Sequence, residues 1–217
     1  SMDVQRLDNI AAQLPHRDQI AIRRSRMSTV QVISSTPAGR IAKLTGTYIT
    51  ARKKFYVLTA LHGIVGPCEE VWIRSKHRGD SECIEIVLID QENDYAIIEI
   101  GELPALEPII IPGMLPLVQE WTDVLAAQTK VYYTGFPNSS SLLTLDGRIA
   151  GYSNSELIYI NSYAWSGSSG SGVFNRDGKL IGYIVALDLG QTEYGTEVLS
   201  GMMYVEPTFK VDWSAIL

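Results

Sequence analysis

From Thr29 onward the chain is a succession of short runs rich in Val, Ile, Tyr and Thr, broken every few residues by Gly, Pro, Asn or Asp. That punctuation excludes long helices and specifies an all-β fold of many short strands. The runs fall into two groups. One predicts strands near 28-34, 40-50, 54-60, 70-74, 83-90 and 95-100, the other near 129-134, 146-151, 156-161, 172-175, 180-187 and 201-205. Between them lies 101-123, where Pro104, Pro108, Pro112 and Pro116 forbid a central strand. Two antiparallel barrels of about six strands each, joined by that crossover, are the expectation.

Residues 1-27 are expected to form an N-terminal helix and connector, 28-115 the first barrel, and 116-217 the second barrel with a closing C-terminal helix. Val4, Leu7, Ile10, Ala11 and Leu14 recur at helical spacing before Pro15. Arg23, Arg24 and Arg26 read as a solvated connector. Asp177-Gly178 between apolar runs predicts a hairpin turn, and the tail after Pro207 predicts a short closing helix.

At 217 residues the chain has room for one compact unit or two small barrels sharing an interface. A net charge of -6 speaks against nucleic acid and anionic membranes as partners, since both are bound through a positive excess. The prolines and Glu107 interrupt the longest apolar run, 103-118, so it does not predict a membrane-spanning helix. The first residues lack the pattern of a signal peptide, and Ser1-Met2 reads as a tag-cleavage scar before the native start. The two cysteines, Cys68 and Cys83, are too few for a disulfide framework, which favours a reducing compartment, the cytoplasm or a host-cell interior. His62, Cys68, His77 and Cys83 match no zinc spacing, and neither a metal nor a cofactor is expected.

Three segments carry residues suited to acyl transfer. In Trp165-Ser-Gly-Ser-Ser-Gly-Ser-Gly-Val173-Phe174, the pattern Gly167-x-Ser169-Gly170 puts a serine in a glycine-permitted turn just before a strand, where the N–H groups of Gly167 and Ser169 can converge on an oxyanion. Tyr56-Val-Leu-Thr-Ala-Leu-His62-Gly ends an apolar strand in a histidine, the base that a serine hydroxyl needs at neutral pH. Asn93-Asp94-Tyr-Ala-Ile-Ile-Glu-Ile100 sets a carboxylate at the mouth of a strand, placed to accept the second imidazole N–H. Taken singly, these are a Ser-Gly loop, an ordinary histidine and a turn aspartate. Their combination, in the order His, Asp, Ser, is the arrangement of one class of nucleophilic hydrolase and not of others.

With these residues in view, the sequence resembles the trypsin-like peptidases, especially their disulfide-free bacterial and viral branch, which includes the HtrA-type protease domains. The likeness runs from about 40 to 207. It rests on Thr47-Tyr-Ile-Thr50 with Tyr56 to His62, on Asp94-Tyr-Ala-Ile-Ile, on Tyr133-Thr-Gly135-Phe-Pro137, and on Gly167 to Asn175 with Gly178 to Gly182. The resemblance implies a serine endopeptidase with catalytic His62, Asp94 and Ser169, and a polypeptide substrate bound as an extended strand along Val185, Ala186 and Leu187. It also puts Tyr163, beside Ala164, at the base of the specificity pocket and Leu187 at a position that is glycine in many digestive members. A small or medium apolar residue before the scissile bond is therefore expected.

Three departures matter. Ser171-Gly172 stands where the family commonly has Gly-Pro or Ser-Pro, so Ser171 competes with Ser169 for the nucleophile's role. Gly63 replaces the cysteine that follows the histidine in secreted members, and no Ile-Val-Gly-Gly terminus is present, so activation by N-terminal cleavage is not expected. A polyprotein-processing protease of viral or phage origin would read the same way. So would a catalytically silent module that binds peptides through the same cleft.

Overall fold

The computed structural model describes residues 16–75, 79–136, 141–162, 167–192 and 195–217, with the backbone alone for 16–17, 186–192 and 195–201. The amphipathic stretch 4-14, His77, Tyr163 and Ala164 lie outside the described residues.

Fourteen strands are described, and they fall into two sheets. In the N-terminal unit they are β1 (Thr29–Ser35), β2 (Ile41–Ala51), β3 (Lys54–Ala60), β4 (Val71–Arg74), β5 (Asp80–Glu82), β6 (Glu85–Asp90), β7 (Tyr95–Ile100) and β8 (Ile109–Ile110). They pair in the order β5-β4-β1-β2-β3-β7-β6, with β8 added in parallel to β2. This sheet curls but is open, a half-barrel where a closed six-stranded barrel was expected. The expected strand 83-90 is β6, the short β5 before it was not expected, and the proline-rich crossover supplies the short β8. The remaining strands are β9 (Lys130–Gly135), β10 (Leu143–Tyr152), β11 (Ile158–Asn161), β12 (Gly172–Asn175), β13 (Leu180–Thr192) and β14 (Gly195–Pro207), which close into a six-stranded barrel in the order β10-β11-β14-β13-β12-β9. The hairpin at Asp177-Gly178 forms as expected: Gly178 N–H donates to Asn175 O at 3.0 Å, with Gly178 at φ +76°.

The core explains why Tyr56-Val-Leu-Thr-Ala and Tyr95-Ala-Ile-Ile are nearly continuous apolar runs. Both strands are covered on both faces. Val57, Ala60 and Ile98 face the interior of the half-barrel with Val30, Leu44 and Tyr48. Tyr56, Leu58, Tyr95 and Ile97 face the other way, onto Phe174, Leu180 and Tyr183 of the closed barrel. A separate core of Val131, Tyr133, Ile149, Ile160, Ile181 and Val205 fills the closed barrel. Each fully buried Ile or Leu at the shared layer contributes about 1.5–3 kcal/mol, so the two units are held in a fixed relation by apolar burial.

Three expectations need correction. Arg23, Arg24 and Arg26 are not a solvated connector: they belong to helix α1 (His16–Met27), which begins directly after Pro15 in the sequence. The helix buries Asp18, Ala21 and Ser25 against the closed barrel, a face too polar and too small to register as hydrophobic periodicity. Arg24 Nη1 donates to Gly178 O at 3.1 Å, Arg26 Nη1 donates to Thr144 Oγ1 at 2.8 Å, and Arg23 pairs with Glu107. After Pro207 the chain forms two 3-10 turns, Thr208–Lys210 and Trp213–Ala215, instead of an α-helix. Cys68 and Cys83 form a disulfide, with Cα atoms 5.4 Å apart, linking the turn before β4 to the segment between β5 and β6. The two thiols had not been expected to pair.

Candidate active site

The antiparallel pairing of β3 with β7 brings the first two residues together. Ala60 lies opposite Tyr95, so His62, in the 3-10 turn that ends β3, meets Asp94, which leads into β7. Leu61 N–H donates to Asp94 O at 3.1 Å, His62 N–H donates to Asp94 Oδ1 at 2.9 Å, and His62 Nδ1 lies 2.6 Å from Asp94 Oδ2. The carboxylate therefore holds both the backbone and the ring of one residue. It selects the tautomer with the proton on Nδ1 and leaves Nε2 free to accept. The hydrogen bond that His62 donates to Asp94 is the main cause that raises the His62 pKa above its ordinary value. Burial opposes it and the Asp94 charge reinforces it. The imidazole is 50% exposed and the carboxylate 30%, which suits a pair on a cleft wall.

Ser169 comes from the loop that leads into β12, and this loop is pinned to the half-barrel. Thr45, on β2, donates its backbone N–H to Ser169 O at 3.0 Å and its hydroxyl to Gly167 O at 2.7 Å. Thr45 O in turn accepts the Thr59 hydroxyl at 2.8 Å. On the other side, Gly170 N–H donates to Ile184 O at 2.7 Å, and Ile184 N–H donates to Ser171 O at 2.9 Å. Gly170 has φ +88°, and a Cβ there would lie 1.9 Å from Thr45 O and 3.1 Å from Ala60 N. Glycine is needed for both reasons, and the close approach seats the loop two residues from His62.

The two competing serines differ in environment. Ser171 is 0% exposed, and its Oγ has no hydrogen-bond partner among the described residues; it packs so close to Gly135 that a Cβ there would be 2.8 Å from it. Ser169 is partly exposed. Among the described residues, the N–H groups of Gly167 and Ser169 have no acceptor and no hydrogen bond joins His62 to Ser169. Val185 is half-buried on β13, where the pairing with β14 shifts at a bulge between Ile184 and Ala186; of Ala186 and Leu187 only the backbone is described. Among the described residues no cluster of His, Cys, Asp or Glu is arranged to hold a metal ion.

Thr45 and Thr59 were not singled out in the sequence, and no local signal marks them. Their role arises from a contact between segments more than 120 residues apart in the case of Thr45 and Gly167.

Comparison with known proteins bears on the family and the fold. The sequence matches the trypsin-like peptidase domain over residues 44–182. No curated protein matches the chain in sequence. Among solved structures it is similar to the serine endoprotease from Yersinia pestis, with a TM-score of 0.71 and 22% identity over 94% of this chain and 68% of that one. It is also similar to the HtrA-type protease AlgW with tripeptide, with a TM-score of 0.69 and 18% identity over 90% of this chain and 60% of that one. The chain thus spans about two thirds of the first structure's length and less of the second's. Since the family match covers well over half of its length, this chain belongs to the trypsin-like peptidases and is a serine endopeptidase.

Proposed function

We propose that this enzyme hydrolyses peptide bonds through an acyl-enzyme formed on Ser169. Ser169 attacks the carbonyl carbon while His62 Nε2 takes its proton, and Asp94 holds the imidazolium that results. The Gly167 and Ser169 amides receive the oxyanion. His62 then gives its proton to the leaving amine, and water, activated by the same imidazole, releases the acyl group. The observation that carries this reading is the seating of Gly170 against Ala60, which fixes the Ser169 loop beside a histidine already bound by a carboxylate. In the free enzyme no His62–Ser169 hydrogen bond is needed, because such bonds tighten when substrate fills the site.

The substrate lies along β13 as an added strand, and the Tyr163 and Leu187 residue types favour a small or medium apolar side chain before the scissile bond. The test is labelling by a fluorophosphonate probe followed by intact mass. Wild type and Ser171→Ala are expected to take one adduct and Ser169→Ala none. Loss of the adduct in Ser171→Ala alone would move the nucleophile by two residues. An unlabelled wild type would favour a silent peptide-binding module. A peptide library then reads the preference, and a basic residue in the favoured position would overturn the apolar pocket.

A further inference from the structure

Asn93 delivers the chain into Asp94, and it is held from three sides. Its N–H donates to Asp90 Oδ1 at 2.9 Å, its side-chain amide donates to Asp90 Oδ2 at 3.0 Å, and its carbonyl accepts the hydroxyl of Tyr183 at 2.8 Å. Tyr183 belongs to β13 of the closed barrel and is fully buried. Its bond to Asn93 crosses from one unit to the other. The Tyr183 ring meets Tyr95 edge-on at 5.8 Å. Tyr95 in turn accepts Asp212 N–H at 2.9 Å and hydrogen-bonds to Asp90.

The hold on Asn93 matters because Asp94 itself has φ +53°, a left-handed conformation uncommon for residues other than glycine. Such a residue stays there only when its surroundings fix it. If the turn relaxed, the carboxylate would swing away from His62. Tyr183 also adjoins Ile184, whose carbonyl and amide hold Gly170 and Ser171. One dipeptide of β13 thus grips the Asp94 turn with a side chain and the Ser169 loop with its backbone.

We infer that Tyr183 is a positioning residue: its hydroxyl, reaching across the interface to Asn93 O, fixes the turn at Asp94 and so keeps the carboxylate on His62. Burial pushes the Tyr183 hydroxyl pKa far up, so it remains a donor throughout the working range. The consequence for catalysis rests on the triad proposed above, but the hold on His62 does not.

The experiment is Tyr183→Phe, which keeps the ring and removes only the donor, read by NMR titration of His62 and by steady-state kinetics. The His62 pKa is expected to fall by about half a unit toward its ordinary 6.5, and kcat to fall about tenfold while KM stays within about twofold. Asp90→Asn, which weakens the other hold on Asn93, is expected to shift both in the same direction by less. A folded Tyr183→Phe with unchanged His62 titration and unchanged kcat would overturn the inference. If the wild type proves inactive, the triad reading fails, and the titration alone still decides whether Tyr183 holds Asp94 on His62.

Discussion

His62 and Asp94 are joined twice, through the ring nitrogen Nδ1 at 2.6 Å from Oδ2 and through the backbone N–H at 2.9 Å from Oδ1. The backbone bond fixes where the carboxylate lies, and the ring bond then fixes the tautomer and orientation of the imidazole. Since the His62 pKa is raised by this partner, the base is neutral only above the raised value. The acid limb of kcat/KM is therefore expected to lie above pH 6.5. Asp94→Asn should move that limb to lower pH and reduce kcat by about 10³–10⁴-fold, because the amide favours the wrong tautomer. A pH-rate profile of both proteins checks this, and an unmoved limb would detach the titration from Asp94. The linkage to stability has the same origin. A raised folded-state pKa gives stability that is complete below the unfolded value and is lost as pH rises through the folded one.

Gly170→Ala tests the seating of the Ser169 loop. The added Cβ would meet Thr45 O at 1.9 Å and Thr59 Oγ1 at 2.6 Å, and φ +88° is unfavourable for alanine. Neither backbone can yield without breaking the Thr45–Ser169 and Gly170–Ile184 bonds. A loss of about 2–4 kcal/mol in stability and complete loss of probe labelling are expected. Chemical denaturation and intact mass measure the two effects. Near-normal labelling would mean that the loop can work away from Ala60.

The strands, and the three residues proposed to react, leave local marks in the sequence. Apolar runs of five or six residues between turn residues gave β3, β7, β9 and β12 to within a residue or so, and Gly167-x-Ser169-Gly170 carries its own turn chemistry. What the sequence hid depends on contacts made only after folding. Helix α1 buries Asp18, Ala21 and Ser25, so its inner face lacks the apolar stripe that marks most surface helices. The anchors Thr45 and Tyr183 act on segments far away in sequence, where no spacing rule applies. Among the described residues β5 and β6, at opposite ends of the half-barrel's order, do not pair, and strand patterns alone do not encode such closure.

The disulfide gives a prediction about the half-barrel. Cys68 and Cys83 close a loop of sequence separation 15, and a cross-link of that size contributes about 3 kcal/mol by restricting the unfolded chain. Cys68→Ser is expected to lower the unfolding midpoint in urea and to leave probe labelling of Ser169 intact, since the bridge ties β4 to the segment before β6 and not to His62. Mass analysis with and without reductant, after alkylation, establishes the pairing first. Two freely alkylated thiols in the untreated protein would remove its basis.

Helix α1 supplies the last prediction. Asp18 is buried, with its side chain 3% exposed, and accepts Arg176 Nε at 2.8 Å on Oδ1 and Arg176 Nη2 at 3.0 Å on Oδ2. Arg176 sits in the hairpin between β12 and β13, so the pair clamps the helix onto the strand that follows Ser169. The Arg176 hydrogen bonds lower the Asp18 pKa below its ordinary 3.8 against the opposing effect of burial. A lowered folded-state pKa gives stability present above the unfolded value and lost as pH falls through the folded one. Arg176→Ala leaves a buried carboxylate without its cation, which is more costly than never having had the pair. The variant should therefore melt below the wild type at neutral pH, with the gap narrowing as the medium is acidified below pH 4, where Asp18 of the variant takes up a proton before that of the wild type. Thermal unfolding at a series of pH values measures the gap. A gap independent of pH would assign the effect of Arg176 to packing of its aliphatic stem and not to the charge on Asp18.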